Sequence, residues 1–300
     1  MKSSIQRRDF LKGGSVLVAG AAIGGFHIAG ASEKVRCSTP SAAKLGWIVG
    51  SSQYTFRRFS LFEALGMIAD LGIQCVEPAF FLSLDKARPK LKVNQELTPE
   101  VRKELKQRLA DRGMAMPTFY SNLGAKMDEA RKIFDFCKEM GVGAIVAEPP
   151  AETFDAIEKL CDEYQINLAV HNHPKKPDYP YWDPANVLAM CKGRSKRIGA
   201  CCDTGHWVRS GLDCVECLKI LEGRILGFHL KDVAEKGKPE ARDVPLGKGK
   251  ADYTAVLKEL KRQGYRGNMG IEYEHDSPQL SDDVAQCAAF VEKTAMALGG

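Results

Sequence analysis

Short apolar runs of four or five residues recur along the chain. Between them stand longer stretches in which apolar residues return every three or four positions. The first kind suits buried strands and the second amphipathic helices. The runs predict eight strands, at 46–49, 74–77, 115–119, 144–147, 167–171, 198–202, 226–230 and 268–272. The periodic stretches predict helices between most of them, at 61–71, 99–112, 127–140, 153–164, 184–192 and 253–263. Gly72, Gly113, Gly141 and Gly264 stand at helix ends just before the next strand, where glycine readily stops a helix. Strands alternating with helices predict an all-parallel sheet, and eight strands close a barrel. The expected fold is α/β, a single-domain (β/α)8 TIM barrel over residues 44–300.

Active sites in this fold gather at the carboxyl ends of the strands. Those ends carry Glu77, Glu148, His171 with His173, Asp203 with His206, His229 with Lys231, and Glu272. His171 and His173 lie two apart, so on a strand they point the same way. Any polar residue can appear where burial stops, but acids and histidines at five consecutive strand ends are a stronger pattern. Asp, His and Glu so placed suit one divalent cation with mixed oxygen and nitrogen ligands. A proline- and aromatic-rich loop, 173–184, brings Trp182 to the mouth. Aromatic faces pack against the C–H face of a sugar ring, so Trp182 joins Glu77, His173 and Lys231 as candidates for holding substrate. Lys231 has the alternative of simply pairing with Asp232 or Glu274. The glycine-rich loop 243–253 has no phosphate-loop pattern and reads as a rim turn capped by Asp252.

Composition adds an address. Arg7-Arg8-Asp9-Phe10-Leu11-Lys12 is a twin-arginine pattern, followed by a glycine- and alanine-rich stretch and an A-x-A site ending at Ala31. Residues 1–31 are expected to be a cleaved signal for the twin-arginine export machinery, 32–43 a tether, and the protein periplasmic. No later segment is apolar enough to cross a bilayer, so no stable membrane anchor is expected. Most of the formal net charge of +5 lies in the signal, and a near-neutral remainder excludes nucleic acid as partner. Ten cysteines would ordinarily suggest disulfides in an exported chain, but nearly all fall in strand-like or helix-like runs and read as small core residues. The oligomeric state is left open between monomer and homo-oligomer.

Asp203-Thr204-Gly205-His206, Phe228-His229-Leu230-Lys231-Asp232, Pro245-Leu246-Gly247-Lys248-Gly249 and Ile271-Glu272-Tyr273-Glu274 resemble the xylose isomerase-like barrel superfamily, in its sugar phosphate isomerase/epimerase branch. The resemblance covers about residues 45–295. It implies a divalent ion such as Mn²⁺ or Co²⁺, with Asp203, His229 and Glu272 as ligands and His206 at the substrate. Strand 5 departs from the family, whose epimerases carry a glutamate there. This chain has His171 and His173, so Glu148 is expected to complete the metal set with His171 on or near the ion. The donor set also fits Zn²⁺ or Fe²⁺.

The resemblance implies a sugar isomerase/epimerase acting on a keto-sugar through an enediolate held by the metal. Glu272 is the expected base, and His171 and His206 are further catalytic candidates. One base and one acid would also serve β-elimination, which makes a 3-keto-glycoside lyase the alternative. A non-catalytic periplasmic sugar-binding protein is the alternative of another class, and stoichiometric metal binding without turnover would favour it. Export argues for a free sugar rather than a sugar phosphate.

Overall fold

The computed structural model describes residues 38–300. The expected signal and most of the tether lie outside the described residues. Eight strands form one sheet: β1 (Trp47–Ser52), β2 (Val76–Glu77), β3 (Thr118–Tyr120), β4 (Ala144–Ala147), β5 (Asn167–His171), β6 (Ile198–Asp203), β7 (Ile225–Leu230) and β8 (Gly267–Ile271). Their order is β2-β1-β8-β7-β6-β5-β4-β3, with every paired ladder parallel. Isolated parallel bridges, Cys75 to Ala115 and Ala79 to Tyr120, bring β2 round to β3 and make the (β/α)8 barrel.

The strands sit where the apolar runs put them, with shifted ends. The third begins at Thr118 rather than 115, because Pro117 has no N–H to give a ladder; its carbonyl accepts from Gly143 and Ala144 instead. The helices Leu61–Asp70, Pro99–Ala110, Met127–Met140, Phe154–Tyr164, Pro184–Cys191 and Tyr253–Arg262 match the periodic stretches. Ser60 starts the first of these with a reciprocal cap: its hydroxyl accepts from Glu63 N–H while the Glu63 carboxylate accepts from Ser60 N–H. The closing helix Leu280–Ala297 escaped the sequence reading, because its buried face is largely small residues such as Ala285, Ala288 and Ala295. Two short antiparallel ribbons also escaped it: Ser83–Asp85 with Arg88–Lys92, and Asp232–Val233 with Asp243–Val244.

The large apolar core lies between the outer face of the sheet and the helices, with Trp47, Phe119, Phe134, Phe136 and Phe154 fully buried. The barrel's inside holds only a small cluster, Val146, Ala169 and Cys201, with Tyr120 and Leu226 against it. All nine described cysteines are free and buried, Cys214 and Cys217 among them. Among the described residues no helix is long and apolar enough to cross a membrane.

The loop 243–253 folds around one carboxylate. Asp232 accepts N–H bonds from Val233, Gly247, Gly249 and Ala251 at 2.9–3.1 Å. A side chain at position 249 would overlap that carboxylate, which explains the glycine. Asp252 caps the following helix through Ala255 N–H, as expected. Asp232→Ala strands these donors in a largely buried turn and is expected to cost about 3–5 kcal/mol. Thermal unfolding measures this; an unchanged midpoint would show that the loop does not depend on Asp232.

Candidate active site

Asp203 ends β6 and at the same time caps the short helix Thr204–Arg209: its Oδ1 accepts from His206 N–H at 2.8 Å. Asn172 clamps the Asp203 backbone on both sides, donating to its carbonyl (2.9 Å) and accepting from its N–H (2.8 Å). Oδ2 is thereby aimed inward and buried; it accepts no hydrogen bond of good geometry, and the Lys231 ammonium stands 2.9 Å from it. Around it stand His171 Nε2 at 3.6 Å and His229 Nδ1 at 3.9 Å. His229 Nδ1 lies 3.0 Å from His171 Nε2 and 3.3 Å from Glu272 Oε2. Ligand atoms about 2.1 Å from a common ion stand roughly 3.0–3.5 Å apart. The His229 spacings fall in that range and those to Asp203 lie slightly beyond it, so His171, Asp203, His229 and Glu272 suit one divalent ion beside the Lys231 ammonium. His206 is close enough to join: atoms of His171, Asp203, His206 and Glu272 all lie within 4.8 Å of one another.

The outward nitrogens of both histidines are held by carboxylates. His229 Nε2 is 2.6 Å from Glu77 Oε1, and His171 Nδ1 is 2.7 Å from Glu148 Oε1. Such outer carboxylates fix a histidine's tautomer and orientation toward a metal. Both carboxylates belong to residues expected at the site from sequence. Glu148, expected as a ligand, bonds His171, His173 Nε2 (3.2 Å) and the Tyr120 hydroxyl, and with His171 and His173 it forms a second group spaced to hold an ion. Glu77, expected at the substrate, is buried against His229. Removing either charge, by Glu77→Gln or Glu148→Gln, is expected to weaken divalent-ion binding by about 10–100-fold. Calorimetric titration with Mn²⁺ and Zn²⁺ measures it; wild-type affinity in both variants would exclude this supporting role.

Lys231 is fully buried, with Nζ 2.9 Å from Asp203 Oδ2, 2.9 Å from Glu272 Oε2 and 3.1 Å from Glu274 Oε1. It thus pairs with Glu274 but not with Asp232, whose carboxylate is occupied by backbone. Gly205 leaves room for its stem, since a Cβ there would run into Lys231 Cγ and Cδ. Burial alone would favour neutral groups throughout this cluster. Mutual pairing outweighs it: His206 and Lys231 hold Asp203 well below the usual carboxylate range, and His229 and Lys231 do the same for Glu272. Burial opposes the charge on Lys231, but Asp203, Glu272 and Glu274 keep it cationic. Glu148 is brought to about 2, as His171 and His173 overcome its burial. His206 is pushed well below its usual value, first by burial, and its Nδ1 stands 3.1 Å from an Arg209 guanidinium nitrogen. A neutral ring accepting there carries its proton on Nε2.

Beside this cluster opens a cavity of about 210 Å³. His171, His173, His206 and Glu272 line it, and Tyr54, Phe81 and Tyr120 supply its aromatic wall, joined edge to face at 6.0 and 6.2 Å. Trp182 is not among the lining residues; its ring stacks under Lys175 at 4.4 Å. The aromatic wall comes instead from the loops after β1 and β2 and the end of β3. Tyr54, two residues past β1, and Phe80-Phe81, just past Glu77-Pro78, were the sequence signals for it.

The family model for the xylose isomerase-like TIM barrel matches residues 65–293, well over half of the chain. The chain belongs to this family. Within it, two curated relatives match over shorter stretches. The rhizopine catabolism protein MocC of Rhizobium meliloti is 28% identical over 139 residues, 42% of each chain. Inosose dehydratase of Clostridium perfringens is 32% identical over 88 residues, 25% of this chain and 30% of its own. The chain thus spans less than half the length of these relatives. Among solved structures, an uncharacterized protein of Parabacteroides distasonis ATCC 8503 is 31% identical, covering 83% of this chain and 99% of its own, with a TM-score of 0.66. An L-ribulose 3-epimerase (17% identity, 84% and 96% covered, TM-score 0.60) shares the fold. So does the IOLI protein, solved with a zinc atom (18%, 83% and 96%, TM-score 0.57). The buried donor cluster stands at the strand ends, where this xylose isomerase-like fold places its chemistry.

Proposed function

We propose that this xylose isomerase-like barrel is a divalent-metal-dependent sugar isomerase or epimerase acting beside the carbonyl of a keto-sugar. The observation that carries the reading is the buried cluster of His171, Asp203, His229 and Glu272, beside an aromatic-walled cavity that His171 and Glu272 line. The relatives and fold neighbours named as sugar epimerase and inosose dehydratase support the class. A bound ion, Mn²⁺ in the family's manner or Zn²⁺ on this donor set, would supply positive charge beside the sugar oxygens that become electron-rich.

The chain's own side chains do the rest. Glu272 is held ionised, and Ser52 donates to its Oε1 at 3.0 Å, which leaves a positioned carboxylate facing the cavity as the base. His173 reaches the same cavity from β5, with its ring nitrogen 3.2 Å from Glu148. Its side chain is 37% exposed against 2% for His171. That makes His173, free of the donor set, the better group to return a proton from a second direction. His206, neutral with Nε2–H turned inward, donates to a substrate oxygen. Lys231, buried among Asp203, Glu272 and Glu274, holds those carboxylates in place. Tyr54, Phe81 and Tyr120 pack the ring's C–H face.

One observation favours a second reading, β-elimination: strand 5 offers histidines where a two-base epimerase needs a carboxylate, and a histidine can protonate a departing group. Incubation in D₂O with ketohexoses and a 3-keto-glucoside, followed by NMR, separates the two. Deuterium at the carbon beside the carbonyl with a new epimer supports the first reading, and an unsaturated product with a released group the second. No incorporation with any of these sugars overturns both. We further propose action after export, tested by finding the chain in the periplasm cleaved after Ala31.

A further inference from the structure

The mouth of the barrel has two compartments. The inner one is the aromatic cavity of about 210 Å³. Beside it lies a second of about 550 Å³, bounded by Pro174 after β5, the 239–243 stretch after β7 and residues 274–276 after β8. His206 and Glu274 line both, so their side chains form the partition. That partition is fixed from behind by Arg209, which is 8% exposed. Its guanidinium reaches His206 Nδ1 at 3.1 Å, Glu274 at 2.8 Å and Asp243 at 2.5 Å, and donates to the Ala241 carbonyl. A wall held by a buried ion-pair network is pre-organised, and pre-organisation distinguishes a binding surface from an incidental dent.

Small-molecule sites commonly span about 300–1,000 Å³, so the inner cavity alone is undersized for more than one sugar ring. The outer compartment supplies the missing space. Its lining carries both signs: Glu240, Asp243, Glu274 and Asp276 stand with Arg209 and Arg242, and Asp243, Glu274 and Asp276 are each already paired with an arginine. An anionic ligand would meet four carboxylates, and a cationic one would meet Arg242 and Arg209. A neutral unit rich in hydroxyls, which both donate and accept, satisfies the whole lining.

We propose that the substrate is a two-unit glycoside. Its keto-sugar ring occupies the inner cavity, a second sugar unit occupies the outer compartment, and the link between them passes over His206 and Glu274. This rests on the keto-sugar reading above and extends it to the substrate's size. The test titrates the full chain with glucose and with cellobiose by calorimetry, which needs no turnover. Cellobiose is expected to bind about tenfold or more tightly than glucose, a contrast of about 1.4 kcal/mol. Arg242→Ala and His275→Trp alter only the outer compartment and are expected to erase that preference while leaving glucose affinity unchanged. Equal affinity for the two sugars, binding of neither, or a preference that survives both variants overturns the proposal. A cellobiose preference accompanied by no proton exchange on any keto-sugar leaves the compartment standing and overturns the keto-sugar chemistry instead.

Discussion

Glu272→Gln is expected to slow hydrogen–deuterium exchange at the sugar carbon by about a thousandfold, the scale of a lost general base. The substitution preserves shape, and Ser52 can still bond the amide oxygen. Lys231 loses one of its carboxylate partners but keeps Asp203 and Glu274. The fold is therefore expected to survive with a lower unfolding temperature, so activity and stability are separable in one variant. NMR in D₂O reads the exchange, and a thermal melt reads the fold. Wild-type exchange in the folded variant would remove Glu272 from the base role, and the proton would then have to leave through His173 or Glu148.

Asp203→Asn is expected to cost more than a hundredfold in divalent-ion affinity, beyond the about 10–100-fold typical of outer partners. Asparagine caps a helix about as well as aspartate, so the bond to His206 N–H and the turn into Thr204–Arg209 are retained. What changes is the inward side: the negative charge that faces Lys231, His171 and His229 is lost, and Lys231 keeps Glu272 and Glu274 as partners. Metal content and circular dichroism together show loss of the ion without loss of the fold. Affinity in the wild type is also expected to rise with pH across the neutral range. Burial disfavours charge on His171 and His229. Even so, Asp203 and Glu148 raise the first, while Cys201, Glu272 and Glu77 raise the second well above its usual value. Protons therefore occupy both rings at low pH, where an incoming ion must displace them, and they are already leaving at higher pH. Wild-type binding in Asp203→Asn, or affinity independent of pH, would place the ion elsewhere.

Much of this was legible in the chain. Strand and helix periods are local, so eight apolar runs alternating with amphipathic stretches were enough to determine a parallel barrel. The barrel in turn assigns strand ends to the site, which is why Asp203, His229 and Glu272 could be picked out with no coordinates. Histidines at 171 and 173 were equally visible as a departure at strand 5. Sequence could not say which atom of each residue points where. Glu77 and Glu148 both stand at strand ends, yet which histidine each carboxylate bonds, His229 or His171, is set only by packing. The aromatic wall likewise depended on which loops lean over the mouth, and Trp182 is directed to Lys175 while Tyr54, Phe81 and Tyr120 converge. The Arg209–Asp243–Glu274 network joins residues 34 and 65 positions apart, a span no local pattern records. Residue types and their order along the strands come from periodicity and are written in the sequence. Ligand, support or wall is decided by side-chain direction, which arises only when distant segments pack and each buried charge must find its partner.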